Sequence, residues 1–477
     1  MAGYNTAGSV RQATSEYKVR ECTISAERGL DINRNLTNFI GEISVFESLF
    51  KPYLTVNIAL IDDLGLLNEE IEFQGTEKIK LVIEGSEEEQ VPNEFELELR
   101  TVSIVKQTKV NNKTTAFVIN CISDYAYRDA LVKISRSYYD QLEDTVEKIL
   151  DDYLDVKVNK KDDYWPGEPS AQGPVKLILP YISPLDATDW LMERATGLYG
   201  GPMFCWCSVW DQKEHQGTVR FGHFPTMIKQ ILYKTKPDAV RFKGSNPNNA
   251  KYSFVQSQSA VNQGSTYKAN RFTISGYKSD NVENSLQMIN QGVTGSQVSN
   301  LDPYANQRML RHHDLGQLLE AMGGEGTMNT VYDPGDKITV QKETKKPSEF
   351  DARYINTITS YGTYGYAAGY HDVVDPSMLL NKVRKSTLIS ALYRNSMDII
   401  VSGYNFTKEE MSVGDPIYVV WHSTKIEDDP SLEGALEERR TGHYLILDLR
   451  RDYLSNGKHE VVATIAKIFD DEESAAS

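Results

Sequence analysis

The sequence predicts a mainly β chain with α/β parts, divided into several domains. Three observations carry this. Apolar residues recur with a period of two over most of the first 125 residues and again after residue 389, the pattern of half-buried strands. Between them, "YYDQLEDTVEKILDDYLDV" and "SPLDATDWLMERATG" switch to helical spacing. Finally, 477 residues exceed what one hydrophobic core supports, so about two to four domains are expected.

Residues 1–16 are small and polar and read as a flexible arm. Residues 17–125 form the first β-unit. In "TVNIALID", Val56, Ile58 and Leu60 share a face; in "KIKLVI", Ile79, Leu81 and Ile83 do, with Lys78 and Lys80 opposite. "FELELR" sets Phe95, Leu97 and Leu99 against Glu94, Glu96 and Glu98, and "AFVINCI" aligns Phe117, Ile119 and Cys121. The connection "DDLGLLNEEIEFQG" is too long and too apolar for a two-residue hairpin turn. Leu64, Leu66, Leu67 and Ile71 would be costly in water, so this loop packs against its own domain or against another chain.

Residues 126–235 read as a small α/β domain. Leu142, Val146, Ile149, Tyr153 and Leu154 line one face of a first helix. A second starts with Ser183 as N-cap, Pro184 in the first turn and Asp186 near the positive end, and Gly197 can close it. "MFCWCSVW" and "TVRFGHF" follow as a strand pair. Residues 236–280 return to alternation in "RFTISGY". The segment 281–388, rich in Gly, Asn, Gln and Ser, gives weak strand and helix signals and reads as an insertion. Strong alternation resumes in "DIIVSGY", "PIYVVW", "GHYLILDL" and "HEVVATIAKI". Those strands are too few to close a barrel alone, so 236–280 and 389–470 are expected to form one discontinuous unit. An acidic tail, 471–477, ends the chain.

Net charge is −16, and no cluster of Lys or Arg forms a phosphate-binding stripe, which disfavours tight nucleic-acid binding. The acidity serves solubility, or it provides a surface over which nucleic acid passes without sticking. No run is apolar enough to span a membrane and the N-terminus lacks a signal-peptide core, so no membrane insertion is expected and the product should stay in the cytosol of the cell that makes it. Four cysteines read as buried thiols. Cys205 and Cys207, with His215 and His223 nearby, lack the second close ligand pair of a zinc site. "RHHD" at Arg311–Asp314 and "YHDVVD" at Tyr370–Asp375 read as surface residues, and "GGEG" at Gly323–Gly326 as a helix stop. The Tyr-Gly run from Tyr361 to Tyr370 suits packing against a neighbouring subunit, with sugar stacking as the alternative. No catalytic constellation and no cofactor site emerges.

Three segments carry a resemblance. "YLTVNIALIDDLGLLNEEIEFQGTEKIKLVI" (Tyr53 to Ile83) resembles the first barrel of the central baseplate-hub proteins of contractile-tailed bacteriophages, which are related to the hub part of type VI secretion spikes. "ISPLDATDWLMERATGLYGGPMFCWCSVW…GTVRFGHF" (Ile182 to Phe224) is similar to that family's second domain. "MDIIVSGYNFTKEEMSVGDPIYVVW…RRTGHYLILDLRRDYLSNGKHEVVATIAKI" (Met397 to Ile468) resembles the closing strands of its second barrel, with Gly403, Gly414-Asp415 and Gly442 at the turns. The insertion has no match to the family.

The resemblance implies two tube-type antiparallel β-barrels per chain and a ring-shaped homotrimer joining a sixfold tail tube to a threefold central spike. Implied partners are the spike, the tube or tube-initiator protein, baseplate wedge proteins and a tape-measure protein. DNA would pass through the channel without specific binding. The expected location is the virion's tail baseplate, assembled in the host cytoplasm. Leu64, Leu66, Leu67 and Ile71 become candidate subunit-interface residues. Glu94, Glu96 and Glu98 become candidate channel-lining residues, unless they face outward into water. The hub of a secretion-system or bacteriocin-like particle is the alternative, and a tail-associated cell-wall hydrolase is the rival from another class.

Overall fold

The computed structural model describes residues 17–469 apart from 86–93, 160–174, 196–200, 210–217, 228–252, 257–272, 280–284, 303–306, 324–336, 359–363, 367–375, 407–410, 422–436 and a handful of shorter stretches. The expected arm 1–16 and tail 471–477 lie outside the described residues, as does Leu66. The chain is mainly β with α/β parts, as the alternation predicts.

The first unit comprises β1 (Tyr17–Arg28), β2 (Leu30–Asn35), β3 (Ile40–Ser48), β4 (Thr55–Asp62), β5 (Lys78–Gly85), β6 (Glu94–Lys109) and β7 (Thr115–Ser123). Its inward residues are those the period of two selects. Val56, Ile58 and Leu60 from β4, Ile79, Leu81 and Ile83 from β5, and Phe117, Ile119 and Cys121 from β7 are all buried in one cluster. β2 adds a hairpin onto β1.

The small domain follows with α1 (Asp124–Asp129), β8 (Ser137–Asp140), α2 (Leu142–Leu154), β9 (Val158–Asn159), β10 (Val175–Ile178), α3 (Pro184–Met192), β11 (Met203–Ser208) and β12 (Thr218–His223). The Ser183 hydroxyl accepts from the Asp186 amide at 3.3 Å, so the expected N-cap forms. The helix ends at Met192, before Gly197, which lies outside the described residues. β11 and β12 pair antiparallel, and β9 adds in parallel.

The second unit comprises β13 (Ser253–Gln256), β14 (Thr273–Lys278), β21 (Ser396–Ser402), β22 (Pro416–Val420), β23 (Gly442–Leu454) and β24 (His459–Phe469). Between β14 and β21, where the sequence signals are weak, the described residues of 281–388 hold regular strands and helices. β15 (Gly295–Asp302) sits between β16 (Gln307–Asp314) and β19 (Arg353–Ile358), antiparallel to the first and parallel to the second. Helices Ser285–Gln291, Leu315–Gly323 and Pro376–Arg394 accompany this sheet. The hairpin of β17 (Ile338–Val340) and β18 (Glu343–Lys345) stands apart, while β20 (Tyr364–Tyr366), from the Tyr-Gly run, pairs with β10 of the small domain. The strand signal is weak in "GSQVSNLD" because both its faces are buried and small polar residues take a place on each: Ser296 on one and Ser299 on the other are both solvent-inaccessible.

The two units repeat one strand order. In the first, hydrogen-bonded neighbours run β1-β5-β6-β7-β4-β3; in the second, β13-β22-β23-β24-β21-β14. Counted along the chain within each unit, with the added hairpin strand β2 left out, both orders read first, fourth, fifth, sixth, third, second. The second unit closes, because β13 also pairs with β14; both pairings of β13 are parallel, and the rest are antiparallel. Among the described residues the first unit does not close on itself. β3 pairs with Asp448–Leu454 of β23 rather than with β1, and the Tyr17 hydroxyl donates to the Leu454 carbonyl at 2.7 Å. A single strand, β23, thus belongs to both units: its Gly442–Leu445 end pairs with β22 and its other end with β3.

Candidate functional site

With no cofactor pattern in the sequence, the sites of interest are the joint that orients the two units and the surfaces that could meet other chains. The joint is built around β11. Its alternation points Met203, Cys205 and Cys207 into the first unit's core and Phe204 and Trp206 into the second's. Burial pushes the Cys207 thiol up to about 12 and the Cys205 thiol well above its ordinary value, so both behave as packing groups. Gly222, opposite Phe204 and diagonal to Trp206, leaves the indole the space that a Cβ would occupy.

Beside β11 lies an ion pair with no solvent exposure. Arg451 of β23 donates from Nε to the Glu47 carboxylate of β3 at 2.5 Å. Its two terminal nitrogens donate to the Phe406 and Met411 carbonyls at 2.9 and 2.7 Å. The second Glu47 oxygen accepts from the Ser412 hydroxyl at 2.6 Å, and Ser412 in turn shares a hydrogen bond with Ser208 of β11. One network therefore ties the first unit, the second unit and the small domain together, with the charges compensated as burial demands. Next to it, His459 stacks on Tyr453 with ring centroids 4.3 Å apart. Burial and the Arg451 charge hold that imidazole well below its usual pKa. Gly403 abuts the same ring and a Cβ there would collide with it.

The candidate interface loop is anchored at both ends by buried carboxylates. Asp62 accepts from the Leu64 and Leu67 amides at 3.1 and 2.9 Å. Glu77 accepts from the amides of Gln74, Gly75 and Thr76 and from the Thr101 hydroxyl. Leu67 and Ile71 are buried in their own domain's core, which is how the loop keeps them out of water. Leu64 is the described member that faces solvent, at 74% exposure. The anchoring acids escaped the sequence reading because a carboxylate that gathers backbone amides looks, in sequence, like any surface acid.

Glu94, Glu96 and Glu98 stand on the outer face of β6, opposite buried Phe95, Leu97 and Leu99. They do not form a bare acidic stripe. Arg20 bonds Glu94 at 2.6 Å, and Lys80 lies between Glu96 and Glu21 at 3.4 and 3.5 Å. The face is a lattice of exposed ion pairs close to neutral.

His312 and His313, adjacent in "RHHD", have opposite fates. His312 is a surface residue bonded to Asp351 at 2.7 Å. His313 is buried, and burial with the nearby Arg384 charge lowers its pKa to about 4. Among the described residues no group of His, Cys, Asp and Glu is disposed to hold a metal ion, and no helix is long and apolar enough to cross a membrane.

No protein-family profile and no curated protein sequence matches the chain. Solved structures do resemble it at low identity. A tail protein from Neisseria meningitidis MC58 superposes with a TM-score of 0.47 at 11% identity, over 95% of this chain and 98% of that one. The 43 kDa tail protein of prophage MuSo2 from Shewanella oneidensis gives 0.42 at 9%, over 95% and 100%. A component of the E. coli type VI secretion system gives 0.39 at 9%, over 95% and 76%.

Proposed function

We propose that this chain is a structural baseplate-hub protein of a contractile phage tail. Three copies form a ring that adapts a sixfold tail tube to a threefold central spike and leaves a channel for DNA. The observation that carries the reading is the repeated strand order. A chain holding two similar units, rigidly joined, turns a threefold ring into six similar positions around one axis. The buried Glu47–Arg451 network and the two-faced strand β11 fix the angle between the units, which such a ring requires. The near-neutral ion-pair face of β6 suits a wall that phosphates pass without being held. In this reading the partners are the spike, the tube or tube-initiator protein, the wedge proteins and the tape-measure protein, and the chain itself catalyses nothing.

The test is the mass of the purified protein in solution, alone and with its spike, together with class averages of the particle by electron microscopy. A trimer showing six lobes is expected. A monomer at micromolar concentration in both preparations refutes the reading.

A further inference from the structure

The hairpin that ends β6 is unlike the rest of its sheet. Up to Thr101, β6 alternates buried and exposed residues; from Val102 to Lys109 every residue is exposed. β5 stops pairing with it at Arg100, so among the described residues this outer run has β7 on one edge and no strand on the other. Register shifts at Thr101/Ser103 and Ile104/Lys106 break the regular ladder with β7 along the run. It carries β-branched residues that no described part of the chain covers, with Val102 46%, Val105 63% and Val110 62% exposed. Leu64 lies at the same end of the sheet, two residues beyond Asp62, which opposes Thr115, which opposes Lys109.

The arm's charge is opposite in sign to the net charge of the rest of the chain. From Thr101 to Thr115 there are three lysines (Lys106, Lys109 and Lys113) and no acidic residue. With the chain at −16, the remainder carries −16 − 3 = −19. An open strand edge with exposed Val and Ile is an aggregation hazard unless something meets it or charge guards it. Lysines alone would guard a polar edge, but here they flank an apolar ridge, the composition of a contact surface with a charged rim.

We propose that the β6 arm, residues 102–110 with Leu64 beside it, docks onto a carboxylate-bearing surface of a second copy of this chain. The copy supplies the complementary charge. α2, which exposes Asp151 and Asp152 and half-exposes Asp144 and Glu147 against one lysine, Lys148, is a surface of the required kind. The arm's backbone edge and valines provide the contact, and the lysines set register and exclude like-charged surfaces. This deepens the ring reading and rests on it: the arm is the element that holds one subunit to the next.

The experiment compares the wild-type chain with Val105→Asp and with the double variant Lys106→Glu/Lys109→Glu, by light scattering across a concentration series, with circular dichroism as a check on folding. All three positions are exposed, so both variants should fold. The expected result is a wild-type trimer and variants whose association weakens about tenfold or more. In an equal mixture of ordinary and 15N-labelled chains, a zero-length carbodiimide reagent should join Lys106 or Lys109 of one isotope to a carboxylate of the other. Folded variants that associate like a trimeric wild type, without such mixed-isotope links, overturn the arm's role and leave the ring standing. A wild type that stays monomeric, alone and with its spike, overturns both.

Discussion

Replacing Arg451 by Met tests whether the buried network sets the joint. Met approximates the Arg stem's volume but removes three hydrogen bonds, to Glu47, Phe406 and Met411. The Glu47 carboxylate would remain at zero solvent exposure with the Ser412 hydroxyl as its chief donor. Breaking one side of a buried ion pair costs about 3–5 kcal/mol. With a urea m-value of about 3 kcal/mol/M for the unfolding of a single unit, the midpoint should fall by roughly 1–1.7 M. Removing both charges in Glu47→Met/Arg451→Met should return most of that loss, since an apolar pair of similar volume is often neutral or stabilising. Urea titrations followed by circular dichroism measure all three proteins. If Arg451→Met shifts the midpoint by less than about 0.3 M, corresponding to a loss below about 1 kcal/mol, the pair contributes no more than a surface salt bridge and the reasoning fails.

Two further outcomes concern other buried groups. Gly403→Ala should destabilise the second unit by about 1–3 kcal/mol, because the added methyl meets the His459 ring; an unchanged thermal midpoint would show that the imidazole moves aside freely. His313 has a folded pKa of about 4, below the unfolded value of about 6.5, so below pH 6.5 the unfolded chain binds the extra proton. Its contribution is fully present above about pH 6.5 and is lost progressively as pH falls towards 4, by up to about 3 kcal/mol. Stability measured from pH 8 to 4 should therefore fall less steeply in His313→Gln than in wild type; parallel curves would contradict the assignment.

Strands were legible in the sequence wherever Val, Ile, Leu and Phe alternate with polar residues, because period two identifies a face. It does not identify a neighbour. Nothing in "GHYLILDLRRDYL" says that its first residues pair with β22 and its last with β3. The helix start at Ser183 was legible because the cap acts through local chemistry. The sheet in 281–388 was not: β15 is held by pairing on both edges, and its buried serines give no hydrophobic signal. The loop after β4 shows the same limit from another side. Leu67 and Ile71 announce that they must leave water, but whether their own domain or a neighbour receives them depends on where Asp62 folds the backbone.

The shared strand β23 has a consequence for synthesis. β3 is complete when residue 48 has been made, yet the stretch that pairs with it, Asp448–Leu454, comes some four hundred residues later. At about 5–20 residues per second, that interval is on the order of 20–80 s. Throughout it the nascent first unit holds an uncovered sheet edge at β3, and Glu47 waits without the arginine that neutralises it. Chains released early, anywhere before residue 448, would keep that edge permanently and should aggregate or be degraded. A pool of such fragments would pair with one another before it could enter an assembly, so the last strands act as a gate that admits only finished subunits.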